Sequence, residues 1–153
     1  MCSSDLRDPR VWRDADGWQM AIGAGFDDGA GGVLRFRSDD LVAWELIGPL
    51  ITGPASAPGT PPGRREVWEC PDLFRLRDTD VLMISVTPGT DSTRYLAGRI
   101  VDGCLEVARE DVLDLGPSFY AAQTLADPSG RRILIGWLRE GRSVAAQRRA
   151  GWS

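Results

Sequence analysis

An all-β fold built from a repeated four-stranded unit is what this sequence predicts, and three observations carry that expectation. Helix signals are nearly absent. Short runs rich in Val, Ile, Leu, Trp and Phe alternate instead with Gly, Asp and Pro clusters, the pattern of many short strands. One unit then recurs. Pro9-Arg10-Val11-Trp12-Arg13, a turn and Trp18-Gln19-Met20-Ala21-Ile22 are matched by Pro71-Asp72-Leu73-Phe74-Arg75, a turn and Val81-Leu82-Met83-Ile84-Ser85. Tyr120 to Leu125, a turn and Ile133-Leu134-Ile135-Gly136-Trp137 repeat the scheme more loosely.

Each element follows from local pattern. A first group of strands is expected at residues 10–13, 18–23, 33–37 and 44–50. A second falls at 72–77, 81–87, 95–101 and 105–108, and a third begins with 120–126 and 132–138. Asp16-Gly17, Asp102-Gly103 and Ser129-Gly130 supply turn chemistry between them. Residues 52–65, rich in Pro, Gly, Ala and Ser without periodicity, read as an exposed loop inserted in the first unit. Four strands per unit at a spacing of ~40–50 residues is the mark of a β-propeller. A β-sandwich of similar strand count is the competing fold, and the regularity of the repeat favours the propeller.

Propeller geometry makes a functional statement, because the first strand of each blade lines a central channel and equivalent positions converge there. Asp8, Glu69 and Tyr120 each begin the first strand of their unit, within about a residue of register. The sequence thus predicts that three polar side chains meet at one mouth of a channel.

Composition narrows the chemistry available there. The 153 residues suit one ordinary domain, and no apolar run approaches the ~20 residues of a membrane helix. His is absent, and every one of the 18 cations is Arg, which removes His-based nucleophilic triads, Schiff-base lysines and His-ligated zinc. The formal charge of -4 argues against nucleic acid as a partner, so Arg142, Arg148 and Arg149 read as a solvated loop. Cys2, Cys70 and Cys104 are odd in number with no CxxC spacing, which suits a reducing cytoplasm better than a disulfide framework. Carboxylates remain as the principal acid/base candidates.

Glu69 is the strongest of them, in Trp68-Glu69-Cys70-Pro71-Asp72-Leu73-Phe74. A carboxylic acid walled by Trp and a thiol holds its proton more tightly, as a general acid at neutral pH requires. Asp8, in Arg7-Asp8-Pro9, reads as a turn former when taken alone; paired with Glu69 by the repeat it becomes a candidate. Two carboxylates facing one cavity are what glycoside hydrolysis uses. Cys70 also reads as a small buried hydrophobe, Trp12, Trp18 and Trp44 as inter-blade core, and Asp91 as a turn residue.

These segments resemble glycoside hydrolase family 32, the invertases, levanases, inulinases and sucrose-6-phosphate hydrolases. Arg7-Asp8-Pro9 resembles the motif whose Asp holds sugar hydroxyls and stabilises the transition state, and Glu69-Cys70 resembles the acid/base motif. The stretch from Asp114 to Thr124 resembles a pocket-lining segment, and Ile133-Leu134-Ile135-Gly136-Trp137 the strand whose Trp faces the sugar. The resemblance implies a five-bladed propeller normally followed by a β-sandwich, the sandwich being absent here. The chain would hold about two complete blades and part of a third.

It also implies retaining hydrolysis of β-fructofuranosides with no metal or organic cofactor. Glu69 would be general acid/base and Asp8 the transition-state stabiliser. Arg7, Cys70, Tyr120, Trp137 and Tyr95 would contact substrate, a sucrose- or fructan-like fructoside; neither nucleic acid nor a membrane is implied as a partner. The nucleophile Asp of the family lies in an Asn-Asp-Pro-Asn-like motif that this chain lacks. Residues 7–153 accordingly read as an internal piece of the propeller. Residues 1–6, with Cys2-Ser3-Ser4-Asp5-Leu6 matching nothing in the family, read as a non-native leader translated from adapter DNA. Two competing readings stand beside this one. A glycosidase acting on arabinose or xylose polymers would carry different carboxylate contexts. A non-catalytic propeller for sugar or protein binding would carry a blade-repeated structural motif such as Trp-Asp, which does not recur here.

Overall fold

A computed structural model describes residues 3–53, 66–87 and 92–151. Most of the expected inserted loop, and Asp91, lie outside the described residues. Among the described residues ten strands form three antiparallel sheets. The first holds β1 (Ser3–Asp14), β2 (Gly17–Phe26), β3 (Gly31–Ser38) and β4 (Glu45–Thr52) in sequence order. The second holds β5 (Val67–Leu76), β6 (Thr79–Thr87), β7 (Ser92–Val101) and β8 (Cys104–Val112), again in order. The third pairs β9 (Phe119–Ala126) with β10 (Arg132–Leu138). The fold is the all-β, blade-wise arrangement the repeat predicts, and the leading strands touch in series, β1 with β5 and β5 with β9.

Every expected strand is present, but the leading ones are longer than their apolar runs. β1 starts at Ser3 and passes through Asp8-Pro9, with Asp5 opposite Gly25 and Leu6 opposite Ala24. Residues 3–6, read apart from the domain in the sequence, therefore continue its first strand. Pro9 and Pro71 are tolerated inside strands because each sits in a β-bulge, where no ladder hydrogen bond is asked of it. Between Arg7 and Arg10 three steps on β1 face two on β2; the same happens between Glu69 and Asp72 on β5, and between Tyr120 and Gln123 on β9. At each bulge one non-glycine residue takes a left-handed backbone: Asp8 at φ 58°, Cys70 at 49° and Ala121 at 53°. Two-residue turns close two hairpins of the second sheet, with Asp102 at φ 50° and Gly103 at 84° in one of them.

Burial between the first two sheets holds them together. Ala21, Val33 and Leu50 of the first meet Trp68, Leu82, Ile84, Val86, Leu96 and Leu105 of the second. Trp68 is the centrepiece: a Cβ added at Gly31 would stand 2.1 Å from its ring, and one at Gly23 2.0 Å from its carbonyl oxygen. Only glycine lets the sheets approach so closely. The third sheet docks on the second by hydrogen bonds as well: Ala121 N–H donates to Ser85 Oγ at 3.0 Å, and Thr93 Oγ1 to the Phe119 carbonyl at 3.3 Å.

Two expectations need correction here. The stretch read as a solvated basic loop forms a short helix, α1 (Val144–Arg149), because Ser143 caps its first turn and Arg148 and Arg149 sit favourably at its C-terminal end. Of the three tryptophans assigned to the inter-blade core, only Trp12 packs against it. Trp18 lies 5.5 Å from the Arg13 guanidinium, and Trp44 donates to the Leu41 carbonyl in an exposed turn.

Candidate active site

The bulges set the site. Counting from each left-handed residue, the preceding positions on the leading strands are Arg7, Glu69 and Tyr120, and the first and last both bond to Glu69. Arg7 Nη1 donates to Glu69 Oε1 at 2.7 Å, and Tyr120 Oη to Glu69 Oε2 at 2.6 Å. Glu69 is therefore gripped at both oxygens, with a side chain only 15 % exposed. Asp8 occupies the next position, one residue out of register with Glu69. Its Oδ2 accepts the Cys70 N–H at 3.1 Å and lies 3.5 Å from Cys70 Sγ. Arg7, Asp8, Glu69, Cys70 and Tyr120 thus form one cluster where three strands, far apart in sequence, come together.

The walls of Glu69 differ from those the sequence suggests. Strand alternation sends Trp68 to the opposite face, into its glycine slot, so the acid meets a guanidinium and a phenol rather than an indole. Arg7 also binds Asp5, at its Nη2 and, at 3.2 Å, through Nε. Donating hydrogen bonds to Asp5 and then to Glu69 makes the Arg7 guanidinium hold its proton more tightly than usual, and the bond that Asp5 accepts draws that carboxyl below the ordinary Asp value. Asp5 is a member of the charge cluster that its sequence context gave no reason to single out. Arg139 covers the Tyr120 ring at 4.6 Å.

The remaining candidates fall apart from this cluster to differing degrees. Trp137 pairs opposite Tyr120 across β9 and β10 and is 59 % exposed, so it stands beside the site with its ring free to meet solute. Tyr95 does not join it. It lies on β7, two strands out from β5, where Arg109 approaches its ring at 5.9 Å.

Cys70 behaves as a shielded thiol. Burial first, then the charge of Asp8 and its hydrogen bond, push it up to about 12. By linkage, a raised native value contributes stability that is whole below the unfolded thiol's ordinary value and is lost as pH rises from there toward about 12. The thiolate is the reactive form. At pH 8.5 iodoacetamide should therefore label Cys70 in the folded chain on the order of 10²–10³ times more slowly than in the urea-unfolded chain. Equal rates by peptide mapping would contradict the placement of Asp8 against this thiol.

Blade-like antiparallel sheets in series, with two carboxylates gathered where their leading strands meet, place the chain in the class of propeller-type domains. The chain belongs to glycosyl hydrolases family 32, whose N-terminal domain matches residues 1–153. It is 37 % identical over 148 residues to a sucrose-6-phosphate hydrolase of Bacillus subtilis, covering 89 % of this chain and 30 % of that protein. A sucrose-6-phosphate hydrolase of Escherichia coli is 33 % identical over 160 residues, covering 97 % of this chain and 32 % of its own length. Among solved structures, a Bombyx mori family 32 β-fructofuranosidase superposes with a TM-score of 0.78 at 31 % identity, covering 99 % of this chain and 33 % of that one. The chain spans about a third of the length of the relatives it matches.

Proposed function

We propose that this chain is part of the catalytic propeller of an enzyme that hydrolyses β-fructofuranosyl bonds with retention. Residues 7–153 carry that portion of a five-bladed domain. The observation that supports the reading is the hold on Glu69 by Arg7 and Tyr120, with Asp8 at the adjoining bulge. Glu69 serves as general acid toward the leaving glycosidic oxygen and then as base toward water. Asp8, an exposed residue, binds fructosyl hydroxyls more tightly as oxocarbenium character develops, which is differential transition-state binding. Tyr120 and Arg7 keep the Glu69 carboxyl aimed. Trp137 offers a ring face to the sugar. The attacking carboxylate belongs to another part of the parent protein.

Sucrose and fructans are the substrate class, following the relatives named as sucrose-6-phosphate hydrolases and a β-fructofuranosidase. The 153-residue chain alone should release no fructose from sucrose, since only one of the two required carboxylate roles is filled. Sucrose turnover by the purified chain that disappears in Glu69→Gln would prove otherwise. The positive test is a graft in which this chain replaces the matched segment of the Bacillus subtilis relative. A folded graft that hydrolyses the host's fructoside substrate supports the assignment, and a folded but inert one removes it.

A further inference from the structure

Three residues past each member of the Arg7, Glu69 and Tyr120 trio, the same strands are joined a second time. An unbulged strand turns residues i and i+3 to opposite faces. The extra residue at each bulge restores them to one side, so Arg10, Asp72 and Gln123 form a second layer under the first.

Asp72 is the centre of that layer and is fully buried, at 0 % exposure. Its Oδ2 accepts both the N–H and the Oγ1 hydroxyl of Thr124 on β9, each at 2.6 Å. Its Oδ1 lies 3.1 Å from Arg10 Nε on β1, an ion pair rather than a well-aligned hydrogen bond. Arg10 Nη2 reaches on to the Thr124 carbonyl at 2.8 Å, and Gln123 Nε2 donates to the Cys70 carbonyl at 3.0 Å. Each of the three strands is thereby tied to the other two.

Burying a carboxylate against a half-buried guanidinium is costly, and apolar packing of similar volume is often as stable. What the charged layer adds is direction. Acceptor and donor geometry fixes the relative height of β1, β5 and β9, which apolar side chains leave free to slide. The strained left-handed residues Cys70 and Ala121 persist only where their surroundings over-determine them. Asp72 and Gln123 supply that constraint immediately beside both.

We propose that Asp72 is the positioning residue of this site: by locking the three leading strands one layer below Glu69, it sets where Glu69, Asp8 and Tyr120 stand. The catalytic half of this statement rests on the glycosidase reading; the geometric half does not.

The 153-residue chain tests the geometry. Asp72→Asn keeps the shape of the side chain but removes its charge and one acceptor. Alkylation of Cys70 by iodoacetamide at pH 8.5 should accelerate at least tenfold, and the midpoint of its rate–pH profile should move down, while Cys104 reacts as before. Thr124→Val removes the hydroxyl that donates to Asp72 and accepts from Arg132 Nη1 at 2.7 Å, and leaves the Thr124 N–H bond to Asp72 in place; it should shift Cys70 the same way by about threefold, and it decides the matter if near-UV circular dichroism shows Asp72→Asn unfolded. Unchanged Cys70 reactivity in a folded variant overturns the proposal.

The graft into the Bacillus subtilis relative tests the function. A tenfold or greater fall in kcat per folded molecule, with KM within twofold and a displaced pH–rate profile, supports positioning. A lowered Tm with kcat and pH profile intact overturns it. If the unsubstituted graft folds but is inert, the glycosidase reading falls, and the Cys70 measurement alone decides the role of Asp72.

Discussion

Glu69→Gln in the active graft should lower kcat on sucrose by about 10²–10⁴-fold, the range general acid catalysis supplies. Gln has the shape of Glu and accepts from one donor at its carbonyl, but it carries no proton to give to a departing oxygen. The loss should depend on the leaving group. Glucose leaves as a poor alkoxide and needs the proton in the transition state; a nitrophenoxide leaves nearly unaided. On an aryl fructoside the first step should therefore be almost unaffected, with the covalent intermediate accumulating because no base activates water. Burst kinetics on that substrate, with slow steady turnover, are the expected signature. An equal loss in the first step on both substrates, with no burst on the aryl fructoside, would assign Glu69 to binding instead. Circular dichroism of the variant separates either outcome from unfolding.

Tyr120→Phe gives the same experiment a scale. It removes one of the two bonds to the Glu69 carboxyl, at Oε2, while Arg7 still holds Oε1. Glu69 keeps its proton-transfer ability and loses only part of its aim, so the effect belongs well below that of Glu69→Gln. The two variants together separate a group that moves the proton from a group that directs the one that does.

The blade-wise fold was legible because its signals are local and repeat. Alternating apolar runs bounded by Asp-Gly and Ser-Gly turns fix strands wherever they occur, and Pro9 and Pro71 at matching places reveal the period. The gathering of Asp8, Glu69 and Tyr120 followed from that period alone. The one-residue offset did not, because it depends on where the bulge falls. Left-handed residues are read from glycine, and here they are Asp8, Cys70 and Ala121, none of which advertises its backbone. Arg7 is consequently the true register partner of Glu69, and Asp8 the residue displaced by the bulge. The same blind spot hid Asp72. A carboxylate three residues after Glu69 looks as though it belongs to the opposite face until the extra residue is counted. The surroundings of Glu69 were misread for a related reason: sequence neighbours on a strand are not spatial neighbours, and Trp68 belongs to the interface between sheets. Tyr95 lies two strands out from β5, apart from the cluster, a distance that depends on strand order rather than on residue type.

Trp68→Ala should destabilise the chain by about 3–5 kcal/mol in urea unfolding, the usual cost of emptying a buried Trp site. That is a large part of the ~5–15 kcal/mol that holds a domain of ordinary stability. The reason is specific to the glycines around it. Gly31 and Gly53 leave the ring a slot in which a Cβ at Gly31 would sit 2.1 Å from Cδ1 and one at Gly53 2.8 Å from Cζ2. With no side chains at these two positions, that wall of the void has nothing to swing in and fill it. The coupling can be measured. Gly31→Ala in the native background forces the indole away and should be strongly destabilising, as overpacking is. In the Trp68→Ala background the same methyl enters the cavity and should cost little or even restore stability. The double variant should thus depart from additivity by more than about 1 kcal/mol, as contacting residues do. Simple additivity would mean that Trp68 does not occupy the glycine slot, and with it would go the close approach of the first two sheets that brings Arg7 and Asp8 within reach of Glu69 and Cys70.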